Sequence, residues 1–230
     1  MKTARVILVL LLVLAIRPAA KAQPVISGYF VNSSWYDTDS KAEPGFSGFQ
    51  GDLMWSFPFN KILGLNLGGG YLWLNRKQEP LVINGNAAES YTREQHIRLP
   101  IHFVINIPLS QSFGLQLFMG GCGSAAISGM NVLSIATDSG TGLVTHDYYS
   151  GLEGRKGVTD SEYSAALPFL ETTPDMSRYD VQAEAGFGIR ISSFLMFRGG
   201  YSYGIFNRLK NSSDGFLRRN QINAGLTLLF

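Results

Sequence analysis

The sequence is short of cysteine and of charge, and it lacks long apolar runs beyond its first residues. Its single cysteine, Cys122, cannot form an internal disulfide and lies too far from the N-terminal segment to be a lipid-modified first residue. Charged residues make up 16% of the chain, whereas aromatic residues reach 12%. No stretch after residue 23 offers the roughly 20 apolar residues that a membrane-crossing helix needs. These shortages exclude a disulfide-stapled domain and a helical membrane protein, and the composition favours an all-β chain.

The first 22 residues have the features of a secretory signal peptide. Lys2 and Arg5 give a positive start, residues 6–16 are an unbroken apolar run, and Ala20-Lys21-Ala22 fits the small-x-small cleavage rule. We therefore expect a cleaved signal peptide over 1–22 and one mature domain over 23–230. Cleavage would remove four of the 19 basic residues and none of the 17 acidic ones, so the formal net charge would change from +2 to −2. Without a basic surplus, the mature chain is not expected to bind nucleic acid.

The main positive signal in the sequence is an alternation with a period of two. From Tyr179 to Ile191 the odd positions are apolar or aromatic, and the even positions are polar, charged or glycine. A helix would mix the two sets on every face, so the pattern predicts a β-strand. The same reasoning predicts eight strands, at about 24–36, 46–59, 61–75, 93–108, 112–126, 178–191, 194–207 and 217–230. In the first of them the alternation does not decide which face is outward.

The predicted strands are long, and their connections alternate in length. A strand that crosses a bilayer at a tilt needs about nine to eleven residues, and these strands are long enough. Short turns follow the second, fourth and sixth strands, and long polar connections at about 37–45, 76–92, 127–177 and 208–216 follow the others. This asymmetry is typical of outer-membrane barrels. We predict an all-β fold, a closed antiparallel up-and-down transmembrane β-barrel of about eight strands, with a long surface loop at 127–177. The sequence leaves open whether part of this loop forms a further hairpin.

Two details of strand pairing follow from this prediction. Lipid offers no hydrogen bonds to an open sheet edge, so the first strand is expected to pair with the last one, at 217–230. Ile191 and Leu195 both belong to the apolar, outward set of alternating positions. We therefore predict that they face each other across a three-residue turn at 192–194.

The face opposite the apolar one carries charged side chains that a small barrel would enclose. Eight strands leave only enough room for side chains inside, and buried charges need partners. We therefore predict a polar network in the lumen, formed by Asp52, Arg98, His102, Glu184, Arg190 and Arg198. Aromatic side chains near the strand ends are expected at the level of the lipid headgroups. This predicted girdle comprises Tyr36, Trp73, Tyr91, Tyr179 and Tyr203 at the long-loop end, and Phe57, Phe59 and Phe230 at the short-turn end.

Motifs for catalysis, metal binding and cofactor binding do not occur in the sequence. The three histidines lack paired metal spacing such as HExxH, and there is no GxSxG elbow. His102 is followed by Phe103 and Val104, so it lacks the nearby serine of outer-membrane lipid deacylases. The glycine runs at 68–70, 120–121 and 199–200 lack the lysine of a phosphate-binding loop, and we interpret them as bends or as room for large lumen side chains. We predict no cofactor, no metal and no catalytic residue.

Several segments resemble the PorT-like group of small outer-membrane β-barrel proteins over about residues 24–230. They are the Ala-Gln junction at 22–23, the strand His96-Ile97-Arg98-Leu99-Pro100-Ile101, the segment Tyr201-Ser202-Tyr203-Gly204-Ile205-Phe206-Asn207, and the ending Gly225-Leu226-Thr227-Leu228-Leu229-Phe230. The resemblance implies the fold and an outer-membrane location, surrounded by lipid, but no catalytic residues. The terminal aromatic residue is similar to the signal that the barrel assembly machinery reads during insertion.

These observations lead to one functional hypothesis and two alternatives. The main hypothesis is a non-enzymatic outer-membrane barrel whose surface loops bind a protein partner through 127–177 or support the envelope. One alternative is a narrow channel for small solutes, and the other is an outer-membrane lipid-modifying enzyme.

Overall fold

A computed structural model describes residues 22–37, 45–137, 140–170, 176–210 and 216–230. All but the last residue of the predicted signal peptide therefore lie outside the described ranges. The strands in these ranges are β1 (Gln23–Asp37), β2 (Phe46–Pro58), β3 (Leu63–Lys77), β4 (Leu81–Ile83), β5 (Asn86–Pro108), β6 (Gly114–Thr137), β7 (Gly140–Asp147), β8 (Leu152–Lys156), β9 (Tyr179–Arg190), β10 (Leu195–Gly204) and β11 (Leu217–Leu229), and the helix is α1 (Asp160–Leu170). Within these ranges no helix combines the length and apolar character needed to span a membrane.

Eight of the strands form a closed antiparallel ring. Their order around the ring is β1, β2, β3, β5, β6, β9, β10 and β11. The ring closes where β1 pairs with β11, in a register that runs from Val25 opposite Leu229 to Asp37 opposite Leu217. Closure gives every strand of the ring a hydrogen-bonding partner on both sides along the barrel wall. The predicted fold class and the predicted pairing of the first strand with the last are confirmed.

The eight predicted strands all occur, and the predicted register at the last short turn is confirmed. The Ile191 N–H donates a hydrogen bond to the Leu195 carbonyl at 3.0 Å, which leaves residues 192–194 as the turn. In β1, where the sequence left the faces undecided, the odd positions point into the ring and the even positions point outward.

Large apolar side chains cover the outside of the ring. In β5, for example, Leu99, Ile101 and Phe103 each expose more than half of their surface. Arg98 and His102, on the opposite face of the same strand, are buried. Exposed apolar patches of this extent do not occur on ordinary soluble monomers. The ring is therefore inverted relative to a water-soluble domain, with its polar side chains inside.

Most of 76–92 lies in β3, β4 and β5, so the loop predicted there is wrong. The segment predicted as a long loop at 127–177 contains the end of β6, the helix α1 and the β7–β8 hairpin, and a further hairpin is the possibility that the prediction left open. Strands β5 and β6 have 23 and 24 residues and continue well past the ring. They are flanked there by β4 on one side and by β7 and β8 on the other. We call this outer part the extension: β4, β7, β8, α1, residues 86–94 of β5 and residues 128–137 of β6. Strand β3 pairs with β5 as far as Tyr91, and the five residues of β5 beyond it, 86–90, span roughly 17 Å along the strand at about 3.4 Å per residue.

The extension is stabilised by a small apolar core of its own. Leu133 and Ile135 from β6 and Val144 from β7 pack against Ala166 and Leu170 of α1, and all are fully buried. Thr159 caps the helix, because its hydroxyl accepts from the Glu162 N–H at 3.3 Å while the Glu162 carboxylate accepts from the Thr159 N–H at 2.7 Å. A bulge separates the extension from the ring, because the β5–β6 register shifts at Gln95/His96.

Candidate functional site

Polar side chains fill the middle of the lumen, in a group that we call the middle cluster. Its members are Gln50, Asp52, Arg98, His102, Glu184, Arg198 and Ser202, all of them buried. Glu184 is at its centre, because its Oε1 atom accepts hydrogen bonds from Arg98 Nη2 at 2.6 Å and from Ser202 Oγ at 3.0 Å. Arg98 also donates to the Gln50 side chain, and its Nε atom lies 3.9 Å from Asp52 Oδ1.

The contacts of His102 fix its protonation state. Its Nδ1 atom lies 3.1 Å from Arg198 Nη2, and a guanidinium group can only donate, so Nδ1 is an acceptor. Its Nε2 atom lies 2.7 Å from Glu184 Oε2 and donates the proton there. His102 is therefore the neutral Nε2–H tautomer. Two carboxylates then face two guanidinium groups, so the formal charges of the middle cluster cancel.

The middle cluster is packed tightly enough to close the lumen at its level. The void among these side chains measures about 10 Å³, which is at the lower limit for one water molecule. A Cβ atom added at Gly70 would lie 2.0 Å from Asp52 Oδ1, and one at Gly200 would lie 2.9 Å from the Phe118 ring. At these two positions glycine makes room for lumen side chains, as the sequence analysis interpreted.

A second group, the upper cluster, fills the end of the lumen next to the extension. Its members are Glu94, His96, Tyr148, Tyr149, Asp180, Arg208 and Arg219, all of them buried. Glu94 Oε2 lies 2.7 Å from His96 Nε2, and Arg208 and Arg219 each approach the Glu94 carboxylate to 3.5 Å. Arg219 also forms an ion pair of 3.0 Å with Asp180. With His96 neutral, this cluster too has two carboxylates and two guanidinium groups.

The turn between β7 and β8 inserts two tyrosines into the mouth of the ring. Tyr148 Oη donates to Glu94 Oε1 at 2.8 Å, and Tyr149 Oη accepts from Arg208 Nη2 at 2.5 Å. Burial, with a further contribution from the Glu94 carboxylate, raises the pKa of Tyr148 well above its usual value. The phenol therefore stays protonated and can remain a donor. The extension is thus joined to the ring by polar contacts as well as by continuous strands.

The structure brings five of the six predicted lumen residues together and separates the sixth. Asp52, Arg98, His102, Glu184 and Arg198 meet in the middle cluster. Arg190 does not join them. It lines a cavity at the short-turn end of the ring, because it is the last residue of β9.

The predicted lumen network contains no residue of the upper cluster and lacks two members of the middle cluster, Gln50 and Ser202. Glu94 and His96 occupy the same inward face of β5 as Arg98, and Asp180 occupies the same face of β9 as Glu184. Extending the alternation along both strands would have found these three. Arg208 and the tyrosines lie outside the strands, and only the folded chain brings them to the lumen.

The predicted girdle residues have varied environments. At the long-loop end Tyr179 and Tyr203 are exposed, and Trp73 and Tyr91 are half-buried, with Tyr91 opposite Lys77 near the outer end of the β3–β5 pairing. At the short-turn end Phe59 and Phe230 are exposed, and Phe57 is half-buried. The side chain of Tyr36 lies outside the described part of the chain. The exposed residues are suitably placed for a lipid interface, which stays a prediction.

The extension also presents apolar side chains to its surroundings. Val82 in β4 and Leu152 in β8 are each 71% exposed, and Phe169 in α1 is 42% exposed. Two acidic side chains of the extension already have partners, because Asp160 pairs with Arg155 and Glu153 accepts from the Tyr163 hydroxyl.

Comparison with known proteins adds likenesses of fold to this picture. No family model matches the chain, and no curated protein matches it, so the PorT-like resemblance stays a prediction. Among solved structures, the chain is similar to the attachment invasion locus protein Ail of Yersinia pestis, with 12% identity, a TM-score of 0.45, and coverage of 91% of this chain and 99% of that one. It is similar to Neisserial surface protein A, with 10% identity, a TM-score of 0.40, and coverage of 90% and 97%. It is also similar to the N-terminal β-barrel domain of Pseudomonas aeruginosa OprF, with 9% identity, a TM-score of 0.31, and coverage of 91% and 100%. In its architecture the chain is a closed, antiparallel, eight-stranded β-barrel.

Proposed function

We propose that the chain is an outer-membrane β-barrel without enzymatic activity, and that it binds another protein through its extension. The observation that carries this proposal is the extension itself, a packed platform that continues the barrel wall past the end of β3. Val82 and Leu152 keep large apolar surfaces on it although it has a core of its own. A contiguous apolar patch marks an interaction surface, and we propose that Val82, Leu152 and Phe169 contribute to one.

Membrane insertion is supported by the distribution of polarity around the ring. The outside carries side chains such as Leu99 and Phe103, and the charges are enclosed and paired. Placing one arginine on the lipid side instead would cost about 2–4 kcal/mol at the bilayer centre. The short-turn end would face the periplasm, and the extension would face outward, because long connections lie outside in barrels of this kind.

The filled lumen argues against the alternative function of a solute channel. A solute would have to break the Arg98–Glu184 ion pair, and the void at that level is about 10 Å³. The lipid-enzyme alternative also lacks support, because the Ser202 hydroxyl donates to Glu184 and His102 is shared between Glu184 and Arg198. Neither residue is left to activate the other.

A second part of the proposal concerns how the chain is exported and inserted into the membrane. Residues 1–22 would direct export and be removed, and the assembly machinery would insert the barrel through the strand that ends at Phe230. A PorT-like family membership fits this route. Outer-membrane lipid would surround the ring, and the protein partner would engage the extension.

Site-specific photo-crosslinking in intact cells tests the binding proposal. A photoreactive amino acid is placed at Val82, Leu152 or Phe169, and at Leu99 as the matched lipid-facing control. We expect a discrete protein adduct from the extension positions and lipid adducts alone from Leu99. Heat-shifted gel mobility of the same membrane fractions checks that each variant is folded. Folded protein without a protein adduct at any of the three extension positions would refute the proposal.

A further inference from the structure

A polar cavity opens at the short-turn end of the ring. It has a volume of about 490 Å³, within the range of small-molecule sites. Asn66, which lines the cavity, lies opposite His102 of the middle cluster in the β3–β5 pairing. The cavity therefore extends from the short-turn end toward the level of the middle cluster.

The charged side chains that line this cavity are of one sign. Among the described residues around it, Lys61 and Arg190 have charged side chains, and both are cations; Phe230, which carries the terminal carboxylate of the sequence, lines the cavity too. The Nε atom of Arg190 is buried and has no hydrogen-bond partner. Arg98, Arg208 and Arg219 in the clusters above each form an ion pair with an acidic side chain, whereas no acidic side chain is among the described residues around this cavity. The cavity is thus complementary to an anion.

Two side-chain amides add unused acceptors to the same cavity. Asn66 is 2% exposed, and its Oδ1 atom has no partner. Gln116 donates through Nε2 to Asn106 Oδ1 at 2.9 Å, but its buried Oε1 atom has no partner. A buried carbonyl oxygen without a donor is unfavourable and rare. A ligand that carries N–H or O–H donors as well as negative charge would satisfy these two oxygens and the cationic side chains.

We propose that this cavity binds a small carboxylate that also carries N–H or O–H donors. Arg190 holds the carboxylate, and the amide oxygens of Asn66 and Gln116 accept from the donors of the ligand. Two ligand sources share this chemistry, acidic sugars and acidic peptides. The inference needs the closed ring but not the partner of the extension, so each can fail without the other.

Calorimetric titration of the refolded full chain in detergent tests the proposal. The probes are galacturonate for an acidic sugar, the dipeptide Ala-Glu for an acidic peptide, and galactose as the neutral control. We expect saturable one-to-one binding of at least one acidic probe, and the one that binds identifies the source. Galactose should bind at least tenfold more weakly, because it lacks the charge that Arg190 recognises.

Variants locate the binding within the cavity. Arg190→Gln should weaken binding about tenfold or more, and Asn66→Leu should weaken it several-fold, whereas Arg155→Gln in the extension should leave it unchanged. Heat-shifted gel mobility checks folding, and Lys61→Gln in the exposed turn serves as a second cavity variant if Arg190→Gln does not fold. The proposal is overturned if folded wild-type protein binds neither acidic probe. It is equally overturned if galactose binds as tightly, or if Asn66→Leu and the folded cation variant, Arg190→Gln or Lys61→Gln, both bind as tightly as the wild type.

Discussion

Replacing Glu184 with glutamine should strongly destabilise the barrel. The carboxylate accepts from Arg98 and Ser202 and contacts His102, and its side chain is 4% exposed. Glu184→Gln keeps the size of the side chain but removes one of the two negative charges of the middle cluster. Arg98 and Arg198 would then share Asp52, whose Oδ1 atom lies 3.9 Å from Arg98 Nε.

The expected cost follows from the burial of the charges left behind. Removing one partner of a buried ion pair typically costs about 3–5 kcal/mol, because the remaining charge stays desolvated. Water cannot relieve the loss easily, because the void among these side chains is about 10 Å³. The exposed pair between Lys77 and Glu89 supplies the control, since both side chains are more than 60% exposed. Glu89→Gln should cost less than about 1 kcal/mol.

Urea unfolding of the refolded protein in lipid vesicles measures both variants. Tryptophan fluorescence and heat-shifted gel mobility report the folded fraction, and linear extrapolation gives the free energy of unfolding. The double variant with Arg98→Met should recover part of the loss, because it removes the unpaired charge as well. If Glu184→Gln costs no more than Glu89→Gln, water reaches the middle cluster, and the argument for a closed lumen fails.

Three further outcomes follow from the same geometry. Leu99→Arg on the outside of the ring should destabilise the protein folded in vesicles by about 2–4 kcal/mol. Val82→Arg on the extension should change its stability by about 0.5 kcal/mol or less. Equal losses of stability would contradict the proposed lipid boundary. Tyr148→Phe removes the donor to buried Glu94 and should cost about 1–3 kcal/mol in urea unfolding, and an unchanged midpoint would mean that water replaces it. In planar bilayers the wild type and the Tyr148→Ala/Tyr149→Ala double variant should both give no steady conductance, since the Arg98–Glu184 layer remains in each; steady single-channel steps from the wild type would favour the channel hypothesis.

The ring could be predicted from the sequence because two demands repeat along every strand. One face has to be apolar, and the other has to fit a narrow lumen. The alternation in 179–191 and 97–109 reports both demands at once, so the strands, their closure and most of the middle cluster follow from it. Arg190 was misplaced because alternation gives the face of a residue but not its depth along the barrel.

The extension could not be predicted in the same way, for two physical reasons. In residues 86–95 the outward positions include Glu89, Arg93 and Gln95, and the apolar outer face that marks a strand of the ring is missing there. In β6 the bulge next to Gln95/His96 switches the parity of the strand, so that Cys122 and Ser124 point inward before it and Leu133 and Ile135 after it. A fixed period of two cannot run through such a switch.

The continuity of β5 and β6 has a mechanical consequence. Their pairing runs from Ala88 opposite Ile135 to Pro108 opposite Gly114, so one ladder joins the outermost part of the molecule to its opposite end. The rungs of an antiparallel ladder lie across the strands. A pull directed along the barrel axis therefore loads many rungs in shear at the same time, instead of peeling them apart one after another. Tension applied to the tip would reach the barrel wall along these two strands, and the bulge at Gln95/His96 is the one irregularity in their pairing within the described residues.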